Sequence, residues 1–236
     1  PGITFEAALK EAQANGYAEK DPTADIEGHD ACRKICILAA IAFGRHVYPR
    51  QVPTEGISGV ALADVAYAES CNRKIKLLGR AVKREDGRIC AYVAPHLVDS
   101  QAPLAGVEDV FNAIMVKGDA IGDVMFYGRG AGKLPTASAV VADVMDAARH
   151  IRSRKRIEWG PGGDDVVVSP EEMSFRWYVR ARGAAETARA VPGASLLSRP
   201  GAPADEVAFL TGSMTRAQLA GALEALTVQS VFRVLE

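Results

Sequence analysis

Cysteine is scarce. Four in 236 residues are too few to staple a chain of this length, so a disulfide scaffold is excluded and a reduced, cytoplasmic setting is expected. Net charge is nearly absent as well: 28 Lys and Arg against 29 Asp and Glu leave −1, so no overall field draws the chain to nucleic acid or to a membrane surface. No apolar run approaches the roughly 18 residues that a membrane-spanning helix needs. Histidines 29, 46, 96 and 150 are scattered, and Cys32 and Cys36 stand four apart with no second pair. That pattern argues against a metal centre and places both thiols in a core. No methionine opens the chain and no signal peptide precedes Ile3, a start that reads as a fragment or a processed form.

What is present is ordinary globular material, 48% hydrophobic and 24% charged, enough for one large or two small cores. Phe5–Asn15 reads as a helix capped by Thr4 and stopped by Gly16. Asp30–Phe43 reads as a strongly apolar helix ended by Gly44, and a third helix is expected over Ala61–Ser70. After Cys71 the period changes to two. Strands are expected over Lys74–Val82, Arg88–Val93, Asp109–Lys117 and Asp123–Tyr127, with a hairpin turn at Asp86-Gly87. A helix follows over Thr136–Arg149. This first block, 1–150, reads as an α+β domain with helices on a mostly antiparallel or mixed sheet. The Arg, Gly and Asp-rich stretch 151–172 reads as a linker. Its basic residues, Arg152, Arg154, Lys155 and Arg156, extend the charge of Arg149 beyond a helix end. Residues 173–236 then run strand, helix, strand, strand, helix, strand, the ferredoxin-like βαββαβ order.

The most informative stretch is Ala12–Lys34. It holds Glu19, Asp21, Asp25, Glu27 and Asp30 around an Asp-Pro turn and a helix start. Asp30 and Lys34 are four apart, so both project from one helix face. A lysine beside a carboxylate can donate the proton that an aldehyde's oxygen needs on reduction. Loop carboxylates such as Glu19 and Asp25 suit the ammonium group of an amino acid. Taken alone, Asp30–Lys34 reads more readily as a surface ion pair of little consequence than as a catalytic pair.

The spacing of Ala12, Gly16, Tyr17, Asp21-Pro22, Asp25, Gly28, Asp30 and Lys34 resembles the signature of homoserine dehydrogenases. The resemblance continues through PLAGVEDVFNA (Pro103–Ala113) and GDVMFYGRGAGKLPTASAVVADV (Gly122–Val144). It implies that Lys34 is the proton donor with Asp30 its catalytic partner, and that Glu19 and Asp25 bind substrate. It also implies NAD or NADP as the cofactor of the complete enzyme. The reaction implied is the interconversion of L-homoserine and L-aspartate 4-semialdehyde, on the route to threonine and methionine. The nucleotide-binding half of such an enzyme, with a second lysine and a metal-binding backbone site, would lie outside this chain. The chain alone is therefore expected to be inactive.

Gly128-Arg129-Gly130-Ala131-Gly132 leads into a helix and exposes backbone N–H groups. It is neither GxGxxG nor a P-loop, and by itself it reads as readily as a tight strand-to-helix turn. The resemblance makes Gly130 and Gly132 cofactor contacts. Residues 173–236 resemble an ACT domain, which implies regulation by an amino-acid effector, or dimerisation, in a homo-oligomer. The loop RARGAAETARA keeps Gly183 but lacks the acid and proline of that family's ligand loop. A non-catalytic amino-acid sensor built on this module is the alternative function.

Overall fold

The computed structural model describes residues 5–14, 20–153 and 160–236. It divides into two compact units, Pro1–Pro22 with Gln101–Glu158, and Thr23–Ser100 with Trp159–Glu236.

In the first unit, α1 spans Phe5–Ala14. Strands β3 (Phe111–Gly118) and β4 (Gly122–Arg129) form an antiparallel hairpin in register from Phe111↔Arg129 to Gly118↔Gly122. The helix α5 (Lys133–Arg149) starts three residues before the expected Thr136. Pro135 is the reason an earlier start is possible. In the first turn of a helix a proline forfeits no intrahelical hydrogen bond, and its fixed φ is already helical.

The second unit holds a mixed seven-stranded sheet in the order β1-β2-β9-β6-β8-β7, with the short β5 also paired to β2. Strands β1 (Arg73–Lys83) and β2 (Ile89–Asp99) pair antiparallel along their whole length. Gly87, at φ +82°, turns the hairpin between them. β2 was expected to stop at Val93 but runs through Pro95. On its outer side Val93 is bridged by Thr54, and the next cross-strand pair is His96↔Arg233. The proline thus falls between two partners, where its missing N–H costs no ladder bond.

Helix α3 (His29–Phe43) lies across β1 and β2. Its buried residues Cys32, Cys36, Ala39 and Ala40 recur at helical spacing and form one face. They pack against Ile89, Ala91 and Val93 of β2, with Leu77 and Ala81 of β1 at the margin. Gly44, at φ +71°, ends the helix by donating its N–H to the Ala40 carbonyl at 3.0 Å. Burial pushes the Cys36 thiol up to about 12, with Cys32 beside it adding to the effect. Both cysteines are core residues.

The stretch expected as a linker, 151–172, joins the sheet at its far end. Gly160 bridges Arg45, and β5 (Val167–Val168) pairs with β2. Beyond it come β6 (Trp177–Arg182), α6 (Ala185–Arg189), β7 (Ser195–Leu197), β8 (Glu206–Leu210), α7 (Arg216–Ala222) and β9 (Thr227–Val234). Their four strands are antiparallel in the order β9-β6-β8-β7.

Alternate residues serve opposite faces of this part of the sheet. Trp177, Val179, Ala181 and Phe209 meet Ala188 of α6 and Leu219 of α7. Tyr178, Ala208, Leu210 and Phe232 meet Tyr67 and Ala68 of the helix α4 (Leu62–Ser70). The sheet therefore continues from β2 into the 173–236 module without a break, through His96↔Arg233 and Leu97↔Val234.

Candidate functional site

The turn that starts α3 is built from tight backbone contacts. A short helix, α2 (Thr23–Ile26), carries Asp25 on an exposed surface. Gly28 follows at φ +77°, a conformation that strains any residue with a Cβ. A Cβ at Gly28 would also stand 3.1 Å from Val93 Cγ1 and 3.2 Å from Thr54 Cγ2. The glycine thus presses the start of α3 onto the sheet. Gly56 does the same from the other side, because a Cβ there would meet the Ile26 carbonyl at 2.5 Å.

From this start Asp30 and Lys34 project together, with Lys34 Nζ 2.6 Å from Asp30 Oδ2. The pair is open to solvent, Lys34 58% and Asp30 40% exposed. Along the same stripe of α3 stand Ile37 and Ile41, both 55% exposed, so the charged pair continues into an uncovered apolar surface. A half-exposed ion pair contributes little to stability. Its placement beside an apolar strip is more notable than its energy, since covering that strip would also take the pair out of water. A cleft of about 440 Å³ lies on the adjoining flank of α3, lined by His29, Cys32, Arg33, Pro49, Val52 and Thr54. Neither Asp30 nor Lys34 lines it.

Of the residues singled out from the sequence, Asp25, Asp30 and Lys34 fall within one short segment of the second unit. Glu19 lies outside the described residues. Gly130 and Gly132 belong to the first unit, in the turn between β4 and α5. The Gly130 N–H donates to the Val110 carbonyl at 3.1 Å, and a Cβ there would overlap the Asn112 side chain. Gly132, at φ +115°, is the N-cap of α5. Internal packing and backbone conformation therefore already require both glycines. The turn still leaves first-turn amides of α5 without intrahelical acceptors, the positive end of a helix that suits a polar or anionic group. Among the described residues, no group of three or more His, Cys, Asp or Glu side chains could hold a metal ion. No described helix is long and apolar enough to cross a membrane.

Sequence reasoning passed over the buried polar residues of the second unit. Asp64, on α4, is fully buried and is met by Tyr178 and Arg180 of β6 and Ser230 of β9. Arg180 also reaches Glu206, which in turn accepts from Arg199 and Tyr67. Burial pushes the Glu206 carboxyl up, but hydrogen bonds from Arg199 and Tyr67 outweigh that and hold it below the usual value. The one sequence signal was local: Asp64 stands three residues after Ala61 and accepts its N–H at 2.9 Å, an acid at N3 of a helix.

A family model for homoserine dehydrogenase matches residues 1–145. Homoserine dehydrogenase of Pseudomonas aeruginosa is 50% identical over 152 residues, 64% of this chain and 35% of that protein. The enzyme of Neisseria gonorrhoeae is 40% identical over 206 residues, 84% of this chain and 47% of that protein. The chain thus spans less than half the length of these curated relatives. Among solved structures, a homoserine dehydrogenase from Thiobacillus denitrificans superimposes with a TM-score of 0.83 at 34% identity, covering 99% of this chain and 59% of that one. The signature that surrounds Asp25, Asp30 and Lys34 lies inside the matched span, and the fold beyond residue 145 follows the same structure to the end. The chain belongs to the homoserine dehydrogenase family.

Proposed function

We propose that this chain supplies the substrate side of a homoserine dehydrogenase, with Lys34 and Asp30 as its proton-transfer pair. The observation that carries this reading is the Asp30–Lys34 contact at 2.6 Å, exposed on α3 within the family's signature segment. A nicotinamide dinucleotide, NAD or NADP, supplies or accepts the hydride. In the direction of reduction, the Lys34 ammonium gives a proton to the oxygen that was the aldehyde of L-aspartate 4-semialdehyde, and that oxygen becomes the hydroxyl of L-homoserine. Asp30, 2.6 Å from the ammonium, holds it in place for the transfer. Glu19 and Asp25 accept hydrogen bonds from the substrate's own ammonium group. The turn of Gly130 and Gly132, with the first-turn amides of α5 beyond it, would hold a polar part of the cofactor. The covering of Lys34 and of the Ile37–Ile41 strip falls to the nucleotide-binding half of the enzyme, so the isolated chain neither holds the cofactor tightly nor turns over.

Lys34→Ala tests this in the complete enzyme. Loss of a positioned proton donor should lower kcat by about a hundredfold or more, with the KM for homoserine changing far less. A variant that keeps kcat within a few-fold would remove Lys34 from the mechanism. Conversely, efficient NADPH-dependent reduction of aspartate semialdehyde by the isolated chain would sink the claim that it is only one wall of the site.

A second reading is favoured by the antiparallel β9-β6-β8-β7 order of the 173–236 module: an ACT-like domain that senses an amino acid or pairs with a second copy in a homo-oligomer. Gly183 of its first loop packs directly under Leu226, which accounts for the glycine without a ligand. Calorimetry with threonine, methionine and homoserine separates the two sites. Binding abolished by Glu19→Ala belongs to the substrate site, and binding indifferent to it belongs to the module.

A further inference from the structure

The last strand of the chain sends one cation back toward the substrate turn. Arg233, on β9, is 5% exposed. Its guanidinium lies over the rings of Tyr92, Trp177 and Phe175, at 4.8, 5.2 and 5.4 Å from their centroids. Its buried Nε has no hydrogen-bond partner. Nη1 donates to Glu55 Oε1 at 2.8 Å. A cation so enclosed needs an anion, and Glu55 supplies the carboxylate in the form of a charge-assisted hydrogen bond.

Glu55 sits in a segment placed between the sheet and the substrate turn. On the sheet side, the Glu55 N–H donates to Val93 O, and the Val93 N–H donates to Pro53 O, both at 2.9 Å. On the turn side, the Ile57 N–H donates to Ile26 O at 2.8 Å. Gly56, between them, leaves no room for a Cβ against Ile26 and Glu27, and Gly28 rests on Thr54. Residues 54–57 therefore form the floor under 25–28, the turn that carries Asp25 and opens the helix bearing Asp30 and Lys34.

We propose that Arg233 and Glu55 are positioning residues for the substrate site: the caged guanidinium fixes Glu55, and through residues 54–57 it sets where Asp25 and the first turn of α3 stand. The inference rests on the assignment of Asp25, Asp30 and Lys34 to that site. The backbone bonds to Val93 survive loss of the ion pair, so the fold persists while the floor loosens. A pair that served stability alone would act on the whole unit equally.

Glu55→Gln in the full chain decides between these. Amide hydrogen exchange at Glu27, Gly28 and Ile57 should quicken by roughly tenfold, with Val179 in β6 unchanged. Arg233→Lys alone, which keeps a cation in the cage opposite Glu55, should retain most of the protection. Asp86→Asn, which removes a remote hairpin ion pair to Arg88, should leave the turn unaltered. L-Homoserine titrated against the chain and followed by NMR should bind several-fold more weakly to Glu55→Gln than to the parent. Exchange that rises everywhere alike, or nowhere in 27–57, overturns the proposal. So does a loosened turn with unchanged homoserine affinity. If the parent chain binds no homoserine at all, the substrate-site reading fails, and the exchange measurement still decides whether Arg233 and Glu55 hold the turn.

Discussion

Asp64→Ala is expected to destabilise the chain by about 3–5 kcal/mol, the cost of leaving a buried charge without its partner. Asp64 is fully buried and accepts five hydrogen bonds. Arg180 Nε approaches at 2.7 Å and Nη2 at 3.3 Å, the Tyr178 and Ser230 hydroxyls at 2.9 Å, and the Ala61 N–H at 2.9 Å. Without the carboxylate, Arg180 keeps Glu206 at 3.3 Å and Gln229 at 2.6 Å, but its Nε is left facing an apolar gap. The melting temperature should fall by roughly 10 °C for a unit of this size. The same loss frees α4 from β6 and β9, since those hydrogen bonds tie the helix to both strands. Thermal melts of Asp64→Ala and of Asp64→Leu combined with Arg180→Met settle the matter. The double replacement, which removes both charges, should cost less than the single one. A melting temperature for Asp64→Ala within a degree or two of the parent's would show that the network carries no net stability.

That network also marks where reading the sequence stops. Local patterns were legible because their physics is local. The i,i+4 spacing of Cys32 and Cys36 in an apolar helix predicts that both are buried, and the strand pattern of Phe175–Ala181 predicts β6. Asp86-Gly87 predicts the hairpin because few other pairs accept a positive φ. The Asp30–Lys34 contact follows from i,i+4 spacing alone. Long-range pairing has no such signature. Asp64 and Arg180 are 116 residues apart, and Glu55 and Arg233 are 178 apart. Each reads in isolation as an ordinary surface charge. Val167–Val168 is too short to stand out from a glycine-rich stretch, yet β2 recruits it as a strand. Pro95 looks like a strand terminator, and only the gap in the neighbouring edge shows why it is tolerated. The signature segment carries the residues proposed for the site, while the floor beneath that segment came from chain brought back by the fold.

Stability should also fall as pH drops from about 6.5 toward 3, because of His96. This residue is fully buried on β2, stacked near Tyr92 with ring centroids 5.7 Å apart. Its Nδ1 lies 2.8 Å from the Ala94 carbonyl, which can only accept, so Nδ1 carries the proton. Nε2, 3.4 Å from the Tyr92 hydroxyl, is then the acceptor, and Arg80 donates to the Tyr92 oxygen at 3.2 Å. The chain of donors fits a neutral imidazole. Burial lowers the His96 pKa from 6.5 to about 3; the Ala94 hydrogen bond opposes this, and the positive Arg80 and Arg233 assist it. Above pH 6.5 both folded and unfolded states hold the ring neutral, so the group contributes no pH dependence. Below 6.5 the unfolded chain takes a proton that the folded one refuses until about pH 3, and stability drains away across that window. The slope approaches 1.4 kcal/mol per pH unit, so moving from pH 6.5 to 5 costs about 2 kcal/mol, and the whole window costs about 4–5 kcal/mol. The upper part of the window lies above the range where ordinary carboxylates titrate, which isolates the histidine. Denaturant midpoints at pH 7.5, 6 and 5 should show this slope in the parent and lose most of it in His96→Phe, whatever that variant's stability at pH 7.5. An unchanged slope in the variant would assign the acid sensitivity to other groups and allow His96 to be protonated in the folded state.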